Sequence, residues 1–262
     1  MKNDPTCGHP SARELCCFLA EYGAHLLGCG AACIRLDRNI SRIAAAYGMK
    51  AEMTIMPHHI HLTVRCQGSG EMFTAIATVP HVPISFNVNT RLSRLSWAVA
   101  DGRIGYDAAR RAFAEIISTD RQRAALVLTL VPVANASFCR LFGGDAAAML
   151  IVALATLAGF WLKRMLTARK ADVRVVVMLC AFVSAMIGAM AFAWPVCATP
   201  ALAVGTSVLY LVPGIPFLNS FSDVLYRHYI CAFGRFMDAV VLTACLSIGL
   251  CAAMMAMHVG MF

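Results

Sequence analysis

The chain has 262 residues, 60% hydrophobic and 14% charged, with a formal charge of +8 and a mean hydropathy of +0.69. A soluble protein of this length needs far more polar surface, so the composition points to a membrane protein and away from a wholly soluble one. The twelve cysteines form no CxxC pair. Cys180, Cys245 and Cys251 lie in apolar runs, where cysteine behaves as a small hydrophobe; a reducing compartment fits and a disulfide framework does not.

The opening stretch, MKNDPTCGHPSARELCC, lacks an apolar h-region and a small-residue cleavage site. No signal peptide is expected, and the N-terminal domain is expected in the cytosol. Leu15, Phe18, Leu19, Tyr22 and Leu26 fall at helical spacing, and Gly28 and Gly30 end that helix. Leu36, Ile40, Ile43 and Tyr47 repeat the pattern, with Arg35, Arg38 and Arg42 on other faces and Gly48 closing it. The period then changes. Ile60, Leu62, Val64 and Cys66 alternate with His61, Thr63 and Arg65, as in a half-buried strand. Residues 51–56 and 71–79 read as its neighbours, joined by PHH and QGSG turns. Two helical segments follow, at about 87–99 and 105–118. Residues 1–123 therefore read as a small cytoplasmic α+β domain.

The remainder, 124–262, reads as a transmembrane domain of five helices at about 124–142, 146–162, 173–194, 200–221 and 236–257. A helix needs about 20 apolar residues to cross a hydrocarbon core of about 30 Å. Fourteen Lys and Arg precede the first block, five lie between the second and third, and two, Arg227 and Arg235, between the fourth and fifth; Arg140 lies in the first hairpin. With the N-terminus inside, all but Arg140 fall on cytoplasmic segments, as the positive-inside rule requires. The joint PVCAT and the C-terminus then face outward.

The fourth block contains YLVPGIPFLNSFSD. Thr199 before Pro200 suits a helix start. Pro213 and Pro216 lack N–H groups, so the carbonyls of Leu209 and Val212 are expected to lose their usual partners. Such breaks survive in a bilayer where protein or a watery cavity surrounds them. Gly214 leaves the backbone bare, and Asn219, Ser220 and Asp223 follow. The first block is a milder version: Pro132, then Asn135 and Ser137. Interrupted spans of this kind build substrate sites in transporters. Asp223 has two readings. It either takes up a proton or pairs with a substrate ammonium, or it caps a helix or pairs with Arg227 or Arg235.

Other patterns carry less. His59 and His61 share a strand face, but Cys66 and His81 are distant in sequence, and no metal or other cofactor is expected. Cys29 and Cys33 are separated by Gly30, and packing explains them. QGSGE has no strand-to-helix context for a nucleophile elbow, and no P-loop is present, so an enzyme is not expected. Arg91, Arg94, Arg103, Arg110 and Arg111, with few aromatics among them, read as a solvated helix face or a lipid-headgroup contact, not a nucleic-acid site.

LVPGIPFLNSFSD followed by Arg235, GAHLLGCGAACIRLDRNISRIAAAYGM and SFCRLFGGDAAAMLIVALATLAGF together resemble the threonine/serine exporter (ThrE) family, in the right order and over nearly the whole chain. The likeness is to the larger, YjjP-like subunit of its split, two-component form. The resemblance implies a subunit of a secondary transporter in the bacterial inner membrane, exporting threonine and serine or, in some split members, dicarboxylates such as succinate. The proton gradient or membrane potential would drive it. A smaller membrane subunit is the implied partner, and an oligomer is expected. An alternative is a regulatory or assembly subunit whose partner carries the pathway. Carried over by motif, the transport positions are Pro213, Gly214, Pro216, Asn219, Asp223 and Arg235, with Gly143, Gly144 and Asp145 in the outer hairpin; Asn135 and Ser137 join them from the first block. The chain departs from the family at Arg227 and Ala232, where relatives often have glycine.

Overall fold

The computed structural model describes residues 10–68, 70–119, 124–193 and 197–258. Lys2, Ser69, Arg121, Arg123 and positions 194–196 lie outside that set. In chain order the elements are α1 (Ala12–Gly28), α2 (Cys33–Ala46), β1 (Met49–Ile55), β2 (His59–Cys66), β3 (Met72–Thr78), α3 (Phe86–Ala100), α4 (Tyr106–Thr119), α5 (Ala124–Leu141), α6 (Ala146–Ala168), α7 (Val173–Ala189), α8 (Pro200–Ser207), α9 (Gly214–Leu225) and α10 (Tyr229–Ala256). Single 3-10 turns follow α7 (Met190–Phe192) and α8 (Leu209–Leu211). The chain divides into two compact units. One holds Met1–Arg121 with Ile215–Met237, the other Gln122–Gly214 with Asp238–Phe262.

In the first unit, α1 opens with a capping box: Ser11 accepts from the Glu14 N–H, and the Glu14 carboxylate accepts from the Ser11 N–H. The apolar stripe Leu15, Leu19, Tyr22 and Leu26 is buried. Gly23 lets α2 approach, since a Cβ there would meet Ile40 Cδ1 at 2.8 Å. The sheet runs β1-β2-β3, antiparallel throughout, with Ala51 opposite Val64 and Leu62 opposite Ala75. Ile60, Leu62 and Val64 are buried and His59, His61, Thr63 and Arg65 take the other face, as alternation predicts. The Tyr22 hydroxyl donates to Leu92 O (2.8 Å) and accepts from Asn39 Nδ2 (3.1 Å), tying α1, α2 and α3. Burial raises its phenol well above the usual range. A groove of about 300 Å³ lies between α1 and β3, lined in part by Cys17, Glu21, His25, Ile76 and Thr78.

The second unit is helical and packed through small residues. Ala148, Val152, Ala155, Cys180, Ala181 and Ala203 are fully buried. Gly188 meets Ser207 and Val204, and Gly249 meets Ala181 and the Met178 carbonyl, so closely that a Cβ would not fit at either. Close backbone approach of this sort is how helices associate where apolar burial offers no drive.

Three elements are long and apolar enough to cross a membrane: α6, α7 with its 3-10 turn, and α10. Pro200–Leu211 and Gly214–Leu225 qualify only as a pair, bent by 62°. The five expected spans are thus corrected to three among the described residues, or four if the bent pair crosses once. The first block falls short because its apolar helix, Leu126–Leu141, is about 24 Å long at 1.5 Å per residue. Boundaries moved as well. α6 continues past 162 to Ala168, so Lys163 and Arg164 are helical, and α10 begins at Tyr229, so Cys231, Ala232 and Arg235 are helical too.

Candidate functional site

The break in the fourth block is milder than its prolines suggest. α8 tightens into the 3-10 turn, Val212 is extended (φ −60°, ψ 125°), and α9 starts at Gly214. Pro213 therefore lies between helices. Pro216 sits in the first turn of α9, where a missing N–H is no loss. The two carbonyls expected to be stranded are both served: Leu209 O accepts from the Val212 N–H (3.1 Å) and Val212 O from the Gly214 N–H (2.9 Å). Thr199 precedes α8 but does not cap it through its side chain. Its hydroxyl donates to Asp145 Oδ1 (2.5 Å), and the Ala198 N–H donates to Asp145 Oδ2 (3.3 Å).

Downstream of the break, α9 is polar on its covered side and apolar on its open side. Asp223 and Ser220 are buried, while Leu218, Phe221 and Leu225 are each more than 70% exposed. The polar side meets the corner between α1 and α2. Asp223, 0% exposed, accepts the Cys33 N–H on Oδ1 (2.8 Å) and Arg235 Nη1 on Oδ2 (2.8 Å). Arg235 Nη2 donates to Ala31 O (2.8 Å), and Asn219 Nδ2 donates to Gly30 O (2.8 Å). Ser220 Oγ donates to Ala232 O (2.8 Å).

The corner itself explains this need. Gly30 takes φ +87°, which turns the chain. The residue before α2 is Ala32, which has no side-chain oxygen to cap the helix. Asp223 supplies that cap from another helix, and its charge suits the positive end of the α2 dipole. Of the two readings of Asp223, its contacts fit the capping and pairing one, with Arg235 as the ion-pair partner. The Cys231 thiol lies beside Cys33. Their sulfur atoms and a carboxylate oxygen of Asp223 are within 4.8 Å of one another, and all three residues are buried. The hydrogen bond to Cys231 and burial push the Cys33 thiol above its ordinary range.

α9 ends in a Schellman-type turn: the Arg227 N–H donates to Val224 O (3.0 Å) and the His228 N–H to Asp223 O (2.8 Å). Arg227 holds φ +64° there, the left-handed conformation that favours glycine.

The second unit has polar groups of its own. Asn135, buried, donates to Thr156 Oγ1 (2.6 Å) and Thr206 O (3.0 Å), joining α5, α6 and α8. Ser137 is exposed, and its hydroxyl returns to Val133 O on its own helix (2.8 Å). Ser184 and Tyr210 share a hydrogen bond of 3.0 Å, packed against Gly159, where a Cβ would collide with both hydroxyls. Lys163 stands one turn beyond Gly159 on α6, within electrostatic reach of Cys180, itself one turn before Ser184 on α7. Among the described residues Lys163 makes no hydrogen bond or ion pair.

Of the predicted positions, the structure brings Asn219, Asp223 and Arg235 together in the first unit. Asn135 and Ser137 lie in the second unit with separate partners, and Pro213 and Gly214 form the break. Sequence reading missed Cys231, Lys163, Ser184 and Tyr210, and put Cys33 down to packing. Lys163 had a signal, since helix-forming residues continue past 162. Cys33 had none, because its partner is 190 positions away. Among the described residues His59 and His61 belong to no metal-ligand group; the His58 and His81 rings lie with centroids 6.3 Å apart.

The family described as "Putative threonine/serine exporter" matches residues 17–257. The "Probable succinate transporter subunit YjjP" of Klebsiella aerogenes is 28% identical over 243 residues, covering 92% of this chain and 92% of that protein. Its namesake from Escherichia coli K12 is 26% identical over 236 residues, covering 89% of this chain and 91% of that protein. No solved structure matches.

Proposed function

Because the chain belongs to the threonine/serine exporter family, a family of transporters with several apolar helices, we propose that it is the larger subunit of a secondary exporter for small hydrophilic carboxylates. Threonine and serine are the first candidates, in keeping with the family's description, and a dicarboxylate such as succinate is the second, in keeping with the relatives' names. Either substrate presents a carboxylate. The bacterial inner membrane, a cytoplasmic N-terminus, an outward C-terminus and a smaller membrane subunit as partner complete the reading. The proton gradient or membrane potential supplies the drive.

The observation that carries it is the polar group beside the broken fourth element. Among the described residues Lys163 makes no hydrogen bond or ion pair; it stands beside Arg164 near the end of a long apolar helix, and the Ser184 and Tyr210 hydroxyls lie one turn along. A charge in that setting is expensive unless a ligand or water meets it, and an anionic carboxylate fits. Pro213, Gly214 and Pro216 hold the chain in its break there, and Asn135 adds a buried amide on the neighbouring helices. Asn219, Asp223 and Arg235 serve transport by tying α9 and the first turns of α10 to the corner between α1 and α2. Ser137 is left out of this reading, since its hydroxyl returns to its own helix.

Inside-out vesicles from cells expressing the chain with its co-purifying partner should accumulate labelled threonine, serine or succinate when energised. Lys163→Met should reduce that accumulation at least tenfold at unchanged membrane abundance, and Lys163→Arg should keep part of it. Equal accumulation by vesicles lacking the chain would sink the transport reading; full activity in Lys163→Met would sink the site.

A further inference from the structure

We propose that Cys33, Cys231 and Asp223 form a binding site for one thiophilic divalent cation, with zinc as the ion best suited to a reducing compartment. The three donors come from α2, α10 and α9, and their ligating atoms already lie within 4.8 Å of one another. A tetrahedral zinc ion with bonds of about 2.3 Å to sulfur and about 2.0 Å to oxygen sets its ligands about 3.5–3.8 Å apart. Closing the cluster on an ion therefore takes shifts of about 1 Å. Two sulfur donors select zinc over magnesium or calcium, which prefer all-oxygen sets.

The surroundings resemble the outer support of a metal site. The Asp223 carboxylate is aimed by Arg235 and by the Cys33 N–H, and each oxygen keeps a second lone pair for an ion. Cys33 is the first residue of α2, held at a corner whose carbonyls at Gly30 and Ala31 are both bonded. Its position is fixed before any ion arrives. Charge also balances. Binding expels the two thiol protons as two positive charges enter, so the buried cluster keeps the same net charge. An uncompensated buried charge is the usual objection to a cation here, and it does not arise. Because two protons leave, occupancy must fall as pH falls.

The plain alternative is two thiols packed in a core, and the experiment separates the two. The full-length protein in detergent, reduced and stripped with a chelator, is titrated with Co²⁺ as a probe and then with Zn²⁺. The site predicts one Co²⁺ per chain, a thiolate-to-cobalt charge-transfer band that zinc abolishes, and a higher melting temperature with zinc. Cys33→Ser and Cys231→Ser should each lose the band, while Cys17→Ser, at an exposed thiol, should keep it. Should the serine variants fail to fold, alkylation of the parent protein decides: zinc must shield Cys33 and Cys231 from the reagent and leave Cys17 reactive. No charge-transfer band, equal alkylation with and without zinc, or a Cys33–Cys231 disulfide in protein isolated without reductant would each overturn the proposal. None of these readouts depends on transport.

Discussion

The two units solve the same packing problem with opposite materials. In the first, Leu15, Leu19, Leu36, Ile40 and Ile60 are fully buried. In the second, the fully buried positions are mostly alanine, cysteine, serine and threonine, while Leu150, Leu154, Trp161 and Ile248 are more than half exposed. Water explains the first pattern, since burying each large aliphatic side chain is worth about 1.5–3 kcal/mol. In hydrocarbon that gain vanishes, so large side chains can stay outside and small ones let backbones touch. The second unit's polar groups follow suit: the Asn135 and Ser184 side chains bond to neighbouring helices and Thr206 to a carbonyl of its own helix, as they must where no water can serve them.

The strongest way to break this contrast is at a place where the first unit, like the second, buries bonded polar groups. Asp223→Ala leaves Arg235, whose side chain is only 13% exposed, without its counter-ion, and should cost about 3–5 kcal/mol. Thermal or chemical unfolding in detergent measures the loss, and pairing the change with Arg235→Met should recover much of it. No recovery would mean that the ion pair is not what Asp223 provides.

The contrast is sharpened by one leucine from each unit. Leu19→Ala should destabilise the protein by about 2–5 kcal/mol, whereas Leu154→Ala should stay within about 0.5 kcal/mol. Similar losses from both would show that Leu154 is covered within the folded chain. Smaller still is Arg227→Gly, which relieves a left-handed residue and should gain up to about 1 kcal/mol, read as a higher melting temperature. A lower one would show that the arginine side chain contributes more than its backbone costs.

The smallest effect is a pH slope. Burial lowers the His25 pKa, with Glu21 opposing in part, and the ring packs edge-on against Phe113 at 5.6 Å. The unfolded chain therefore takes up this proton first as the solution is acidified. The stability it contributes is present above about pH 6.5 and is lost as pH falls through the unfolded and then the folded value. His25→Gln should flatten that part of the melting-temperature profile.

Local elements were legible because they rest on local chemistry. The stripe Leu15–Leu26, the alternation at Ile60–Val64 and the glycine at 48 each place an element to within a few residues of its observed ends. The apolar blocks were legible as blocks but not as spans. Proline at 213 and 216 reads as a disrupted helix, yet the chain closes the gap with a 3-10 turn and restarts at Gly214, so the carbonyls stay bonded. At the site, Asp223 and Arg235 were both readable and Arg235 was one of two partners considered. The corner they serve was not, because nothing in the sequence near Gly30 or Cys33 points to residues some 190 positions later.

That separation has a consequence for synthesis. The carbonyls of Gly30 and Ala31 and the N–H of Cys33 are bonded by side chains from residues 219–235. A ribosome adding about 5–20 residues per second needs ~10–40 s to get from one to the other. During that interval the N-terminal unit must wait, hydrated and incomplete at one corner, while the first apolar helices are being delivered to the bilayer. Its last stitch is sewn by residues 219–235, so a ribosome stalled before residue 235 would leave this unit the easiest part of the nascent protein for a protease to open.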